Sequence, residues 1–340
     1  MKAATIVITP RDRFTGILEC IDNVYQYTGE TLFDLIILDL GYPQTLRQAI
    51  DKKISQLANA QVLDYGLVIP MEGMRKARGH IDTPFTVLLD NDSRVTQGWL
   101  EPLVETGKAT RAAVISPLTL EKEGVDEGEA LRNHIYTCEL RIVEAENKPF
   151  LIEHKPFRRA LPAEIPQEVR ETQAFELHCV MFRTDALKEM ELPQMTMREH
   201  LDIGMQLRGK GEKLVAEPRS VVHFDNLGTR ADLNDLKYFN LRWNRQICEQ
   251  SSRLFEKRWG YKFYNEEAIY FWAQRRRIFL VLRNLYIPIS IANKIDRAFR
   301  KIKTSVSPIW DPLPDPFAES RLFYETLPAG IPQQQDHAIY

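Results

Sequence analysis

Two short apolar runs that each end on an aspartate constrain the fold of this chain more than any other feature. The first, FDLIILD, covers residues 33–39, and the second, FTVLLD, covers residues 85–90. Their apolar residues are continuous rather than alternating, which is typical of strands that are buried on both faces of a parallel sheet. The sequence therefore predicts two buried strands, each with an acid at its carboxyl end.

Segments with helical periodicity separate these runs from further strand patterns. Strands are predicted at 4–9, 33–39, 61–69, 85–90 and 112–116, with apolar residues at helical spacing between them. Alternating strands and helices imply βαβ crossovers, so we expect an α/β fold with a doubly wound, mostly parallel sheet and flanking helices. Ligands of such sheets bind beyond the carboxyl ends of the strands, where Asp39 and Asp90 are expected to lie.

The remaining two thirds of the chain predict three different regions. Residues 118–173 lack regular periodicity, and we expect loops there with one short helix around 134–143. Long helical patterns dominate residues 226–303. We therefore predict a sheet-bearing domain at 1–225 and a helical extension at 226–303. Six prolines in the tail 304–340 predict an extended or partly disordered segment.

Charge and cysteine content exclude several classes of protein. The 45 Lys and Arg balance 47 Asp and Glu, so no overall basic field would collect nucleic acid. The four cysteines lie far apart without a CxxC pair, which excludes a disulfide scaffold or zinc ribbon and favours a reducing compartment. No apolar run could cross a bilayer or form a signal-peptide core, so we expect a cytoplasmic protein.

The segment Asp90-Asn91-Asp92 directly follows the strand at 85–90. Two carboxylates one residue apart at the end of a strand can share a hard divalent cation and the phosphate groups bound to it. The same residues are also good turn formers, so the tripeptide alone favours neither interpretation. Its setting, between a strand and a helix that starts near Trp99, favours the cation site.

Other polar residues have the right chemistry for the same site. Glu199 and Asp202 are three apart at the start of a predicted helix, where a carboxylate acts as a general base or simply complements the helix dipole. His223 ends a β-branched stretch and could complete a carboxylate metal site, although a lone histidine there is more often structural. Arg75 could neutralise a diphosphate or face solvent, and Asp39 alone is also a turn former.

Taken in order, these segments resemble the family-2 glycosyltransferases, which have the GT-A nucleotide-sugar-binding fold. The match covers roughly residues 5–257, with motifs that are individually weak and specific in their order and spacing. The similar positions are the first strand ending at Thr9-Pro10, the second strand ending at Asp39, the pair Asp90 and Asp92, the helix with Glu199 and Asp202, and the segment ending at His223. Two departures are Leu40, where the family often has a second acid, and His200, where it often has the base.

The resemblance implies a metal-dependent transfer from a nucleotide-diphospho-sugar, most commonly one of uridine and otherwise of guanosine. A Mn²⁺ or Mg²⁺ ion held by Asp92 and His223 would stabilise the departing diphosphate. Asp202, or alternatively Glu199, would take the proton of the acceptor hydroxyl, with inversion at the anomeric carbon. The residues implied in donor binding are Thr9, Pro10, Asp39, Arg75 and Asp90.

The acceptor implied by the resemblance is a glycan or a lipid-linked hydroxyl. Residues 275–303 alternate basic and apolar side chains at helical spacing, which predicts either peripheral contact with the inner face of a membrane or packing against the domain. Only the first alternative would indicate a lipid-linked acceptor.

Two rival interpretations follow from the same residues. A phosphatase of the haloacid-dehalogenase type also has an Asp-x-Asp motif after a strand, but Ser93-Arg94 stands where that family usually has Gly-Thr. A non-catalytic nucleotide-sugar-binding scaffold with the same fold is the main alternative, because Leu40 and His200 depart from the family pattern. Such a scaffold would bind the nucleotide sugar without transferring it.

Overall fold

The structure is a computed structural model of the 340-residue chain. It describes residues 2–121, 133–145, 148–158, 160, 164–224, 232–263, 266–288, 290–292, 294, 295 and 298. The proline-rich tail at 304–340 lies outside the described residues, as do several residues of the basic segment 275–303. Among the described residues, no helix has both the length and the apolarity needed to cross a membrane.

Strands and helices alternate through the first third of the chain, as the sequence predicts. The elements there are β1 (Ala4–Thr9), α1 (Ile17–Tyr27), β2 (Phe33–Asp39), α2 (Gln44–Ile54), β3 (Ala60–Asp64), α3 (Pro70–Ala77), β4 (Phe85–Asp90), β5 (Ser93–Val95), α4 (Leu100–Thr110) and β6 (Val114–Glu121). The later elements are β7 (Asn133–Ile135), β8 (Glu139–Ala145), β9 (Lys148–His154), β10 (Arg170–Glu171), β11 (Cys179–Arg183), α5 (Thr184–Glu189), α6 (Glu199–Gly209), β12 (Leu214–Phe224), α7 (Leu233–Arg242), α8 (Arg245–Trp259), β13 (Lys262–Phe263) and α9 (Glu266–Asn284).

One large sheet carries the core, in the order β10-β12-β6-β11-β4-β1-β2-β3. Strands β1 to β4 are parallel to one another, and the apolar runs of β1 and β4 are buried along their whole length. Helix α4 packs closely on this sheet, because Gly107 has no Cβ, which would otherwise lie 2.6 Å from the Phe85 ring. The predicted α/β fold class with flanking helices is confirmed.

Within this mostly parallel sheet, β11 is an exception, because it lies antiparallel between β4 and β6. It follows the long segment after β6 and not a βαβ crossover, so the rule that makes crossover-connected strands parallel does not apply to it. This insertion brings the residue before β11 to the carboxyl end of β4.

A second, three-stranded sheet forms where we expected a helix around residues 134–143. Strands β8 and β9 pair antiparallel from Glu139 opposite His154 to Ala145 opposite Lys148, and β13 joins β9. The predicted helix is therefore wrong. The β-branched residues Ile142, Val143 and Ile152 favour strands, and pairing of the two arms satisfies their backbone groups without a helix.

Three helices, α7, α8 and α9, follow β12. An N-terminal capping box formed by Asp232 and Asp235 starts α7, and α7 packs against α9 through Phe239, Ala273 and Leu280. The boundaries that we predicted for the domains stay predictions.

Candidate functional site

The carboxyl ends of β1 and β4 meet at one edge of the sheet. Thr9 lies opposite Asp90 in the parallel register, and the Asn91 N–H donates to the Thr9 carbonyl at 3.1 Å. From the other side, the antiparallel strand β11 delivers His178, whose carbonyl accepts from the Asp90 N–H at 2.9 Å. The acidic segment is therefore fixed between β1 and the start of β11.

The loop between β1 and α1 is held from two sides. The Asn91 side chain donates to the backbone carbonyls of Arg13, Phe14 and Thr15, with the shortest distance, 2.8 Å, to Arg13. The Asp235 carboxylate of α7 accepts from the Phe14 and Thr15 N–H groups at 2.7 and 2.9 Å. The middle residue of the acidic segment and the helical extension together define the path of this loop.

The loop places two arginines against the two aspartates. Arg11 Nε lies 3.3 Å from Asp90 Oδ2, and Arg13 Nε lies 3.7 Å from Asp92 Oδ2. His178 donates from Nδ1 to Asp90 Oδ2 at 2.9 Å. These five residues, which we call the aspartate cluster, are all buried.

Asp92 differs electrostatically from an ordinary paired aspartate. Burial raises the pKa of its carboxyl group to about 6, and the neighbouring Asp90 adds to the rise while Arg13 opposes it. Among the described residues, Asp92 Oδ1 has no hydrogen-bond partner although it is buried. The site therefore holds a carboxylate oxygen that is out of water and available to a further ligand.

His178 was not found by sequence analysis. Burial lowers the pKa of its imidazole, but the hydrogen bonds to Asp90 and Glu121 outweigh burial and raise it to about 9. The Phe224 ring stacks on the imidazole with centroids 3.5 Å apart. In the sequence, His178 is marked only by its position directly before β11. Arg11 and Arg13 are likewise marked only by their position shortly after β1.

Glu199 lies at the same site as the aspartates. Its Oε1 lies 3.6 Å from Arg11 and 3.5 Å from Arg242. Burial raises the pKa of Glu199, but these two arginines outweigh burial, so the net pKa is lowered. Arg242 also pairs with Asp12 in the loop between β1 and α1. This loop also carries Arg11 and Arg13, and we call it the arginine loop. The end of α7 therefore connects the start of α6 to the arginine loop.

Asp202 has different partners, although it is only one helical turn from Glu199. Its carboxylate accepts from Arg258 and Trp259 at the end of α8, each at 2.8 Å, and from Gln206 at 2.6 Å. Burial raises the pKa of Asp202 more than these donors lower it. These contacts join α8 to α6, so we interpret them as contacts that stabilise the packing of the two helices.

Of the other residues predicted to bind the donor, Thr9 and Pro10 lie at the cluster. Asp39 accepts from the Gly41 and Tyr42 N–H groups and pairs with Arg47 at 2.7 Å, so its contacts are those of a turn former. Arg75 pairs with Glu72 on the half-exposed surface of α3.

His223 lies near the end of β12, opposite Arg94 of β5 in the antiparallel register. Strand β5 begins immediately after Asp92, so the pairing brings His223 into the neighbourhood of the acidic segment. Its side chain is partly buried. The structure thus brings Asp90, Asp92 and Glu199 together and His223 close to them.

A second group of charged residues, mostly partly buried, lies between the β8–β9 hairpin and α6, and we call it the hairpin cluster. It consists of Glu153, Lys155, Glu176, Arg198 and His200. Glu153 pairs with His200 at 2.9 Å and with Arg198, and Glu176 pairs with Lys155. Its two carboxylates and imidazole lie within 4.8 Å of one another, a spacing that could hold a metal ion. Lys155 and Arg198 pair with these carboxylates more closely than Arg11 and Arg13 do with Asp90 and Asp92, so we interpret this cluster as structural.

The aspartate cluster fits a divalent cation better. Asp92 Oδ1 is buried and has no hydrogen-bond partner in the part of the chain that the structure describes, so it offers an oxygen ligand. Burial raises the pKa of Asp92, and a cation beside the carboxylate would offset that cost of ionisation. Carboxylate oxygen is the donor type that Mg²⁺ and Mn²⁺ prefer.

Comparisons with known proteins identify one partial relative and one structural neighbour. No family model matches the chain. The chain is 27% identical over 125 residues to a probable N-acetylgalactosaminyltransferase 9 of Caenorhabditis elegans, a match that covers 34% of this chain and 21% of that protein. The fold matches a crystal structure of GalNAc-T7 with UDP, GalNAc and Mn²⁺ with a TM-score of 0.51 and 14% identity, over 76% of this chain and 50% of that one.

These likenesses refine what the sequence motifs implied. The structural match supports the GT-A type of fold. Both matched proteins are N-acetylgalactosaminyltransferases, which belong to a family other than family 2. The chain spans about a fifth of the worm protein and half of the GalNAc-T7 chain.

Proposed function

We propose that this chain is a glycosyltransferase that uses a nucleotide-diphospho-sugar, with a uridine diphosphate sugar as its donor. One observation carries the proposal: a buried carboxylate oxygen of Asp92, with no hydrogen-bond partner among the described residues, lies just beyond the carboxyl end of β4 in an acidic pair. The similarity to N-acetylgalactosaminyltransferases supports a sugar-transfer reaction, and the neighbour crystallised with UDP, GalNAc and Mn²⁺ supports this donor class.

The proposed roles follow from position in the site. Asp92, with His223, would hold Mn²⁺ or Mg²⁺, and Asp90, Thr9 and Pro10 would lie against the nucleotide. A divalent cation at this position supplies charge that stabilises a departing diphosphate. His178 would orient Asp90, because its imidazole Nδ1 lies 2.9 Å from the Asp90 carboxylate.

We propose Glu199 rather than Asp202 as the base. Glu199 contacts Arg11 of the aspartate cluster, whereas Asp202 is occupied by Arg258 and Trp259. The lowered pKa of Glu199 keeps it ionised at neutral pH, and thus able to accept a proton, although it also makes the group a weaker base. A base of this kind serves a single displacement with inversion, the course implied by the family-2 resemblance.

Turnover of two variants tests the assignment of the base. Glu199→Gln should lower kcat about 10²-fold or more while donor affinity changes little. Asp202→Asn should lower thermal stability, through loss of the α6–α8 contact, and leave the kcat of folded enzyme within about threefold. The reverse result would return the base to Asp202, and a retained anomeric configuration in product NMR would exclude the single displacement.

The donor site is tested by isothermal titration with UDP and GDP, each with and without Mn²⁺. Metal-dependent binding of UDP alone is expected. Binding of neither nucleotide by folded protein would contradict the proposal. Binding of a UDP-sugar without its transfer or hydrolysis would favour the non-catalytic scaffold.

The remaining predictions about cellular context are kept as proposals. We propose a glycan hydroxyl as the acceptor, since the comparisons concern enzymes named for transfer of N-acetylgalactosamine. Membrane contact through 275–303, a lipid-linked acceptor and a cytoplasmic location stay predictions.

A further inference from the structure

Arg242, the last residue of α7, is buried at the edge of the candidate site. It is 3% exposed, and its guanidinium group lies between Asp12 of the arginine loop and Glu199 at the start of α6. A buried cation is strongly unfavourable unless carboxylates compensate it. Arg242 therefore joins three separate elements through charge: α7, the arginine loop and α6.

The two ends of the Arg242 guanidinium group are held differently. Nη1 donates to Asp12 Oδ1, and the Trp243 Nε1 donates to the same oxygen at 2.9 Å. Nη2 lies 3.5 Å from Glu199 Oε1, which is longer than the distance of about 2.7–2.9 Å that is usual for a charge-assisted hydrogen bond. The Trp243 ring lies against the guanidinium group, with its centroid 5.0 Å from Cζ. Asp12 and Trp243 thus anchor one end of the group, and the other end faces Glu199.

Glu199 is attracted from two directions. Arg11 Nη2 lies 3.6 Å from the same Oε1 on the side of the arginine loop, and Arg242 approaches from α7. Burial raises the pKa of Glu199, but Arg11, Arg242 and the neighbouring His200 outweigh burial and lower it. A glutamate side chain has several rotatable bonds, so charged contacts from two different elements restrict the orientations of its carboxylate.

Asp12 is the negative group next to both arginines. Burial raises its pKa, whereas the nearby cations of Arg242, Arg11 and Arg276 of α9 outweigh burial and lower it. Asp12 and Glu199 therefore compete for the charge of Arg242 and Arg11. The close contact with Asp12 both anchors Arg242 and reduces its effect on Glu199.

We propose that Arg242 is a positioning residue for the base: anchored on Asp12, it holds the Glu199 carboxylate in the orientation that accepts the proton of the acceptor hydroxyl. This inference rests on the proposed function and deepens it, because it gives α7 a part in the reaction. Arginine suits the role, since its planar group donates to two carboxylates in a fixed geometry that lysine does not reproduce. Loss of a positioning contact lowers kcat more than it lowers substrate affinity.

The Arg242→Gln variant separates positioning from donor binding. Its kcat should fall about tenfold, while UDP affinity with Mn²⁺ stays within about threefold, because the ion pairs of Arg242 in the described part of the chain are with Asp12 and Glu199. Arg242→Lys keeps the charge and should lose only about threefold in kcat. Arg253→Gln, which removes an exposed arginine of α8, is the matched control and should change neither quantity.

The pKa of Glu199 supplies a readout that needs no turnover. It is followed by carboxyl NMR in the metal-free protein, with the signal assigned by its loss in Glu199→Gln. Arg242→Gln should raise this pKa, because a cation beside the carboxylate is gone, and Arg242→Lys should leave it lowered. Asp12→Asn should lower it further, because Asp12 no longer competes for the arginines, and should also lower kcat, because Arg242 loses its anchor. A loss of packing alone would not shift the pKa in opposite directions.

Each outcome of these measurements is decisive. An unchanged pKa of Glu199 in Arg242→Gln would overturn the inference, as would pKa shifts of the same sign in Arg242→Gln and Asp12→Asn. A fall in UDP affinity as large as the fall in kcat would also overturn it. If Arg242→Gln does not fold, Arg242→Lys and Asp12→Asn are judged by the same criteria. Wild-type protein that transfers no sugar, in a series that shows the expected pKa shifts, would instead overturn the proposed function.

Discussion

The aspartate cluster and the hairpin cluster are built from the same side-chain types but differ in how their charges are satisfied. Both combine two carboxylates, an imidazole and two cationic side chains, which are all buried in the aspartate cluster and mostly partly buried in the hairpin cluster. In the hairpin cluster, the pKa of Glu153 and that of Glu176 are lowered, because nearby His200 and Lys155 outweigh the effect of burial. In the aspartate cluster, burial raises the pKa of Asp92 to about 6.

The difference comes from distance and from what fixes the cations. Lys155 and Arg198 reach their glutamates directly, whereas Arg13 is carried by a loop whose backbone is bound by Asn91 and Asp235, and it stops 3.7 Å from Asp92. A cluster with close internal partners stabilises the fold. A cluster whose partners are held slightly apart keeps a carboxylate oxygen ready for a ligand.

The variant Asp92→Asn tests whether the aspartate cluster binds the cation, and it should have the largest effect on nucleotide binding. Loss of one ligand charge should weaken UDP binding in the presence of Mn²⁺ at least about 100-fold, measured by titration calorimetry. Without metal, the variant should be as stable as the wild type or more so, because the charge that it removes is unfavourable in the folded state. A variant that is destabilised and still binds would make this aspartate a turn residue.

Glu153→Gln tests the structural side. Removing this carboxylate takes away an ion-pair partner of Arg198 and a hydrogen-bond partner of His200, so the free energy of unfolding should fall by about 1–3 kcal/mol, measured by urea denaturation. Metal-dependent nucleotide affinity of the folded variant should stay within about threefold of wild type. Loss of Mn²⁺ binding without loss of stability would mean that the hairpin cluster, and not the aspartate cluster, holds the cation.

The two clusters should also respond to pH with opposite sign. The folded pKa of Glu176 is about 2, against an ordinary value of 4.5, so its stabilising contribution is complete above about pH 4.5 and is lost as the pH falls towards 2. The folded pKa of Asp92 is about 6, against 3.8, so its ionisation costs stability as the pH rises between these values.

Metal-free urea denaturation at several pH values measures both contributions. Glu176→Gln should lose about 1–3 kcal/mol at pH 7 and less as the pH approaches 2. Asp92→Asn should gain about 1–2 kcal/mol at pH 7 and nothing below about pH 4. Slopes of the same sign for the two variants would contradict the distinction between the clusters.

The sequence predicted features that depend on local patterns, and it missed features that depend on contacts between distant parts of the chain. The strand ends with Asp90 and Asp92, and the helix start with Glu199, were found because apolar periodicity marks the elements and their polar ends. The same local patterns also predicted the fold class. They failed at residues 134–143, where pairing within the β8–β9 hairpin overrode the helical interpretation.

The rest of the site depends on contacts that no local pattern records. His178 reaches Asp90, 88 residues away, only because β11 enters the sheet antiparallel. The arginine loop takes its path from Asp235, 221 residues away from Phe14. Asp202 and Glu199 share a helix turn, and their different partners depend on how α8 and α7 pack against α6.

The variant Phe224→Leu should have the smallest effect, and it tests the role of His178 in orienting Asp90. The Phe224 ring stacks on the imidazole that orients Asp90, whereas His200, in the hairpin cluster, orients Glu153. Leucine keeps the apolar cover but loses the stacking, worth about 0.5–1.5 kcal/mol, so UDP affinity with Mn²⁺ should fall about threefold. The pKa of His178, followed by NMR, should stay near 9, because hydrogen bonds to Asp90 and Glu121 raise it. A fall in affinity beyond tenfold at unchanged pKa would instead place Phe224 in direct contact with the nucleotide.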